Sequence, residues 1–275
     1  MSIKRNKLAV IGVGNMANAI INGALSSDCG LSQVILYDVN PMQTSSLYSA
    51  YSDKVAIADS VKGAVESADS VLISVKPQNY SEVLFEISKA SGYADKLYIS
   101  IGAGISTDSV KESLGESILV LRVLPNLPML IGMGVSVICR NSYVDASDFD
   151  FVKKLFSSAG GTLEIEEDEM NRIIGVTSSS PAYVFKFIDA IYNGALEQGL
   201  SEDGLLDAIC DMIIGSAAMV KQSSDSPALL ASRVASKGGT TEKALEMLEN
   251  YNFSTAIKDA MKACTLRAYE LGAKK

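Results

Sequence analysis

Residues 8–17 read L-A-V-I-G-V-G-N-M-A, and no other stretch of the 275 residues restricts the fold as strongly. Leu8 to Val13 is a short apolar run of the kind found in strands covered on both faces. Gly12-x-Gly14-x-x-Ala17 overlaps its end and opens a segment of helical composition, Asn15 to Leu25. In such a strand–turn–helix unit the first glycine permits the tight turn. The second lets the backbone approach a pyrophosphate, and the small third residue lets helix and strand pack closely. The anion sits on the helix N-terminus, where free N–H groups and the macrodipole point. The plain alternative is a βα turn that merely needs small residues.

A second strand, V-I-L-Y at 34–37, ends in Asp38. A carboxylate at that position accepts hydrogen bonds from the ribose hydroxyls of a dinucleotide and repels a 2′-phosphate. No Lys or Arg lies between Asp38 and Pro41. The expected cofactor is therefore NADH or NADPH, with Asp38 favouring NADH; the bland reading is a solvated strand end. Further strands are expected at 55–58, 70–75, 97–101, 118–124 and 134–139, with helix-length segments such as 41–51, 61–68 and 80–90 between the early ones. Strands alternating with helices imply right-handed βαβ units and a mostly parallel sheet.

After about residue 165 the β-branched runs stop. Residues 170–199 form a long helical pattern interrupted at Ser178-Ser179-Ser180-Pro181. Ser201 is expected to cap the next helix, Pro227 to open a short one, and Gly238-Gly239 to break the chain before the final helices. The chain reads as an α/β Rossmann-like dinucleotide-binding domain over 1–163 and an all-α domain over 164–275. The segment 205–220 is apolar on most sides and must be buried, which points to a homodimer; it does not say whether dimers build a larger ring.

Composition excludes much chemistry. There is no histidine, so no Ser-His-Asp triad, no H-E-x-x-H zinc site and no histidine general base can form. Four scattered cysteines without C-x-x-C fit neither a disulfide framework nor a metal cluster, and no metal is expected. Net charge is −8, without the basic block that a nucleic-acid partner requires. K-R-N-K at 4–7 and Lys274-Lys275 read as solvated ends. No apolar run approaches the ~20 residues of a membrane span, and a cytoplasmic location is expected.

Six ordered motifs resemble the pyrroline-5-carboxylate reductases, which catalyse the last step of proline synthesis. I-G-V-G-N-M-A at 11–17 is similar to the family's G-x-G-N-M-A, and V-K-P-Q at 75–78 to A-V-K-P-Q. S-I-G-A-G-I at 100–105 stands for S-x-A-A-G-I, and R-V-L-P-N-L-P at 122–128 for R-x-M-P-N-T-P. S-S-S-P-A-Y at 178–183 and S-K-G-G-T-T at 236–241 stand for S-G-S-G-P-A-Y and S-P-G-G-T-T. The resemblance spans nearly the whole chain and implies a Rossmann domain followed by a helical domain that binds substrate and interlocks into a dimer.

The resemblance also implies roles. Ile11, Gly12, Val13, Gly14, Asn15 and Met16 would hold the pyrophosphate. Ser74, Val75, Lys76 and Pro77, with Ile101, Gly102 and Ala103, would line the adenosine and nicotinamide side, and Asn126 would lie near the nicotinamide. Val234, Ser236, Gly238, Gly239, Thr240 and Thr241 would bind the carboxylate of a cyclic imino acid, with Thr241 nearest the ring nitrogen and catalytic. Glu167 falls near the proline site. Plainer readings exist: Lys76 ends a strand, Asn126 shapes a turn, Glu167 belongs to a solvated acidic run, and the Gly-Thr loop is a helix cap. Leu127, Ser178, Ser180 and Lys237 depart from the family pattern on the substrate side. Two rivals remain: a 3-hydroxy-acid dehydrogenase using Lys186, and a nucleotide-binding regulator without turnover.

Overall fold

A computed structural model describes residues 5–273; Lys4, Lys274 and Lys275 of the Lys-rich ends lie outside them. Eight strands form one sheet in the order β3-β2-β1-β4-β5-β6-β7-β8. They are β1 (Lys7–Ile11), β2 (Gln33–Tyr37), β3 (Val55–Ile57), β4 (Ser70–Ile73), β5 (Leu97–Ser100), β6 (Leu119–Leu124), β7 (Gly134–Arg140) and β8 (Gly160–Glu164). All neighbours pair in parallel except β6 with β7.

The continuous apolar runs follow from helices on both faces. Leu8, Val10, Val34, Leu36 and Leu72 pack on α1 (Asn15–Leu25) and α6 (Ala146–Ser157). The alternate residues Ala9, Ile11, Ile35, Val71 and Ile73 pack on α3 (Val61–Glu66), α4 (Tyr80–Ser88) and α5 (Thr107–Leu114). Successive strand side chains point to opposite faces, so both sets must be apolar. The segment expected as helix 41–51 is a 3₁₀ turn, Pro41–Gln43, followed by α2 (Ser45–Ala50).

The sequence reading passes over β8. It begins with two glycines and is half-exposed, so it carries no apolar signature; pairing with β7 makes it a strand. The solvated-terminus reading is corrected at Arg5. That side chain is buried and makes a two-pronged ion pair to Asp148, with Nε–Oδ1 at 2.9 Å and Nη2–Oδ2 at 3.1 Å. Its Nη1 donates to the carbonyls of Asp69 and Asp95, which precede β4 and β5.

The chain divides into two compact units, residues 1–179 with 264–275, and residues 180–263. The boundary expected from the sequence, 163/164, falls earlier in the chain. The intervening segment carries Met170, packed with Leu124, Val137 and Cys139 of the sheet. It comprises α7 (Met170–Ile173) and a π-helical turn, Ile174–Ser178. The second unit holds α8 (Ser180–Glu197), α9 (Leu205–Gln222), α10 (Pro227–Val234), α11 (Thr240–Asn250) and the first half of α12 (Phe253–Ala273). Pro227 opens α10 behind a Ser226 cap, as expected. Ser201 does not cap α9. Gly204, at φ +70°, takes the cap position, because that left-handed backbone cannot lie inside a helix. The Ser201 hydroxyl instead accepts from Asp203 N–H. No helix among the described residues is long and apolar enough to cross a membrane.

Candidate active site

Sheet order reverses between β1 and β4, and in open α/β sheets the crevice beyond such strand ends takes ligands. Gly12 follows β1 directly, with φ +88°. Its N–H donates to Tyr37 O at 2.9 Å. A Cβ on Gly12 would lie 2.8 Å from both the Ser74 carbonyl oxygen and Val75 Cγ1, so only glycine fits. The Asp38 carboxylate accepts from Val13 N–H at 2.7 Å and from Asn40 N–H at 2.8 Å, tying the glycine turn to the end of β2. Gly14 precedes α1 with ordinary φ −77°, and a Cβ there would meet nothing within 4 Å. No side chain caps α1, so its first N–H groups remain open to an anion. A close backbone cradle, a free helix N-terminus and a carboxylate at the β2 end fit a dinucleotide.

Two cavities flank this turn. One, about 320 Å³, is lined by Ile11, Gly12, Tyr37, Asp38, Val39 and Val75 among others. The second, about 290 Å³, is lined by Met16, Ser74, Val75, Lys76, Ile101 and Ala103, with Leu124, Pro125, Ile174 and Ser178. Val75 borders both, so the groove passes over the ends of β1 and β4. Ile11, Gly12, Asp38, Ser74 and Val75 are thus brought to one groove from chain positions far apart. Val13 and Asn15 complete the turn, and Pro77 opens the 3₁₀ turn that follows Lys76. Leu124 and Pro125 lie in R-V-L-P-N-L-P, where no role was expected of them, and Ile174 lies outside every motif and carries no polar signature.

Asn126 lies beside this groove but spends its amide inside the protein. Nδ2 donates to Thr177 O at 3.0 Å, and Oδ1 accepts from Val135 N–H at 2.8 Å. It is a strut between β7 and the π-helical turn, closer to the turn-shaping alternative. Glu167 is not part of a solvated face. One oxygen accepts from Thr107 N–H at 2.8 Å, and the other pairs with the Thr107 hydroxyl. Arg122 Nη1 stands 3.8 Å from the carboxylate. Arg122 is buried, which lowers its pKa, while Glu167 opposes that shift. Its Nη2 donates to Asn171 at 3.0 Å. Asp168 and Glu169, by contrast, pair with the exposed Arg172.

In the second unit, Ser236–Thr241 forms a tight loop. Gly238 has φ +75°, and Gly239 N–H donates to Ser236 O at 2.9 Å. Gly239, not a threonine, occupies the cap position of α11; Thr240 and Thr241 are its first residues. Glu242 Oε2 accepts from Gly238 N–H at 2.8 Å. Thr241 is half-buried, Lys237 is exposed, and Val234 ends α10 with 68% exposure. Lys186 is 83% exposed and pairs with Asp189 on its own helix, a poor setting for a dehydrogenase base.

The protein is 32% identical to a pyrroline-5-carboxylate reductase of Escherichia coli over 96% of this chain and 98% of the relative. The chain belongs to the pyrroline-5-carboxylate reductase family. A reductase of that name from Haemophilus influenzae is 33% identical over 96% of this chain and 97% of its own. The family model for pyrroline-5-carboxylate reductase dimerisation matches residues 167–271, and one for coenzyme F420-dependent NADP oxidoreductases matches 7–104. Among solved structures, the Plasmodium falciparum pyrroline carboxylate reductase with NADP bound superposes with TM-score 0.88 at 27% identity, covering 99% of this chain and all of the other. The Coxiella burnetii reductase gives 0.89 at 25%, with the same coverage. Against the family motifs, Ser178 lines the second cavity and Leu127 is 51% exposed. Ser180 opens α8.

Proposed function

We propose that this chain reduces 1-pyrroline-5-carboxylate to L-proline with a hydride from NAD(P)H. The observation that carries the reading is family membership along the whole chain, joined to an uncapped α1 behind a cradle that admits no side chain at Gly12. Bound NAD(P)H supplies the hydride, the step that no side chain can perform. The protein's part is alignment. Gly12 to Met16 hold the pyrophosphate, and Ser74 to Pro77 with Ile101 to Ala103 hold the rest of the dinucleotide. Met16, Ile101, Leu124 and Ile174 give the second cavity apolar walls that exclude water. The loop Ser236–Thr241, with Val234 and Lys237, anchors the substrate carboxylate, and the Thr241 hydroxyl donates a hydrogen bond to the ring nitrogen. A cyclic imine is basic enough to take its proton from solvent, so a chain without histidine needs no strong acid. Glu167 acts indirectly, by fixing the start of α5 through Thr107.

Residues 1–163 serve the cofactor, and 164–275 serve substrate and self-association. A homodimer is supported by large apolar side chains left exposed in the second unit, such as Met212, Ile214 and Met219. Asp38, with no cation before Pro41, favours NADH over NADPH.

Incubating the protein with pyrroline-5-carboxylate and either cofactor, then quantifying proline by chromatography, tests the reading. Proline equal to the cofactor oxidised is expected, with higher kcat/KM for NADH. Cofactor binding without proline would leave a nucleotide-binding regulator. Equal or better kcat/KM with NADPH would remove the role given to Asp38.

A further inference from the structure

We propose that Tyr80 is a positioning residue for the cofactor: its phenol oxygen clamps together the two loops that line the second cavity, and NAD(P)H affinity depends on the clamp. The inference rests on the cofactor-binding half of the proposed function.

Tyr80 opens α4 and is 1% exposed. Its hydroxyl donates to Ile73 O, the last residue of β4, at 2.8 Å. It accepts from Gly102 N–H at 2.8 Å. The third partner is Ser100 Oγ at 3.1 Å, the last residue of β5. A phenol has one proton and two acceptor sites. With the proton directed at Ile73, Ser100 must donate, and all three capacities are used. The oxygen thus stands where the β4–β5 ladder ends: Ile101 N–H still reaches Ile73 O at 3.2 Å, and Gly102 N–H has passed beyond the strand.

The three partners lie immediately before or within Ser74–Lys76 and Ile101–Ala103, the segments that line the cavity. The ring sets the height of the second loop as well. A Cβ on Gly102 would lie 2.6 Å from Cε2 and Cζ of Tyr80, so backbone and ring are in direct contact. Burial pushes the phenol up to about 12, which keeps it protonated and the clamp intact at any working pH. The ring also packs among Leu84, Ile87 and Ile105, so a purely packing role must be separated from a positioning one.

Tyr98 supplies the control. It is equally buried, lies on β5, and donates its hydroxyl to Tyr93 O at 2.8 Å, away from both loops. The test is titration of NADH and NADPH fluorescence in the full-length wild type, Tyr80→Phe and Tyr98→Phe, below their melting temperatures. Both variants keep the ring; Tyr98→Phe loses one buried hydrogen bond and Tyr80→Phe loses three, so both melt lower, Tyr80→Phe the more. Only Tyr80→Phe is expected to weaken NAD(P)H binding, by roughly three- to tenfold, the equivalent of about one of its three hydrogen bonds being felt at the cofactor. KM for the cofactor should rise in parallel, while KM for pyrroline-5-carboxylate stays within about twofold. Ser100→Ala, which removes one bond and no packing, should shift the cofactor Kd in the same direction by less, and carries the test if Tyr80→Phe does not fold. Unchanged Kd in Tyr80→Phe, or an equal rise in Tyr98→Phe, overturns the proposal. A wild type that binds NAD(P)H but makes no proline would sink the reaction and leave the clamp to be judged by Kd alone; a wild type that binds neither cofactor sinks both.

Discussion

Gly12 and Gly14 share a motif but do different physical jobs, and alanine at each should separate them. At Gly12 the backbone has φ +88°, a region that costs an L-residue about 1–2 kcal/mol. The methyl would also lie 2.8 Å from the Ser74 carbonyl oxygen and Val75 Cγ1, so the β1–α1 turn must move off the β4 loop. Overpacking of this kind adds about 1–3 kcal/mol. Gly12→Ala should therefore lose about 2–5 kcal/mol of stability, a melting temperature lower by roughly 5–15 °C for a chain of this size. Because the displaced turn is the cradle itself, NAD(P)H binding should fall by more than about thirtyfold, the equivalent of about 2 kcal/mol. At Gly14 the backbone is ordinary and a methyl meets nothing. Gly14→Ala should melt within about 2 °C of wild type, since its strain is absent. It should still weaken NAD(P)H by tenfold or so, because the methyl occupies the approach to the open N–H groups of α1. Thermal denaturation read by circular dichroism, beside fluorescence titration of NAD(P)H, gives both quantities. A Gly12→Ala protein as stable as wild type, or a Gly14→Ala protein with wild-type affinity, would refute the assignment of strain to the first glycine and anion contact to the second.

Thr241→Ala should lower kcat/KM for pyrroline-5-carboxylate by on the order of ten- to a hundredfold while leaving NAD(P)H affinity unchanged, and wild-type turnover would remove Thr241 from the reaction. Arg5→Met strands a buried Asp148 and should cost about 3–5 kcal/mol in denaturant unfolding; Arg5→Met with Asp148→Leu should recover most of it. A loss below about 1 kcal/mol in the single variant would show the pair to be idle. Burial raises the pKa of Tyr80 to about 12 and raises that of Tyr98 as well. The native state then holds protons that the unfolded chain releases near pH 10, so stability should fall as pH rises from about 10, by up to about 1.4 kcal/mol per pH unit and phenol. Absorbance at ~295 nm should show these two phenols ionising only with unfolding; titration alongside the exposed tyrosines would contradict their burial. Burial likewise pushes the Cys139 thiol up to about 12, so it should resist a thiol reagent at neutral pH until the protein unfolds.

What was legible in the chain was local. Four apolar residues, Leu8 to Ile11, followed by two spaced glycines specify a buried strand, a tight turn and a helix start, because each property belongs to residues a few positions apart. The same holds for Pro227 at the start of α10 and for the break at Gly238-Gly239. β8 was not legible, because an exposed edge strand needs no apolar alternation and exists through its pairing with β7. Family motifs reached further and brought Ser74–Pro77 and Ile101–Ala103 to one groove, but they assigned residue types to a ligand without knowing which side chains the protein itself uses. Asn126 had its amide taken up by Thr177 and Val135, and Glu167 was bound to Thr107.

The sequence by itself determined the class of fold, the glycine turn between β1 and α1 and the absence of histidine chemistry. Tertiary structure alone decided that Arg5 is a buried clamp on Asp148, 143 residues away, that Glu167 caps a helix 60 residues earlier, and that Tyr80 ties the ends of two strands. The physical reason is range. Backbone propensity and apolar periodicity act over one or two turns of chain. A buried polar group is settled only by whichever distant donor or acceptor the packed fold delivers to it.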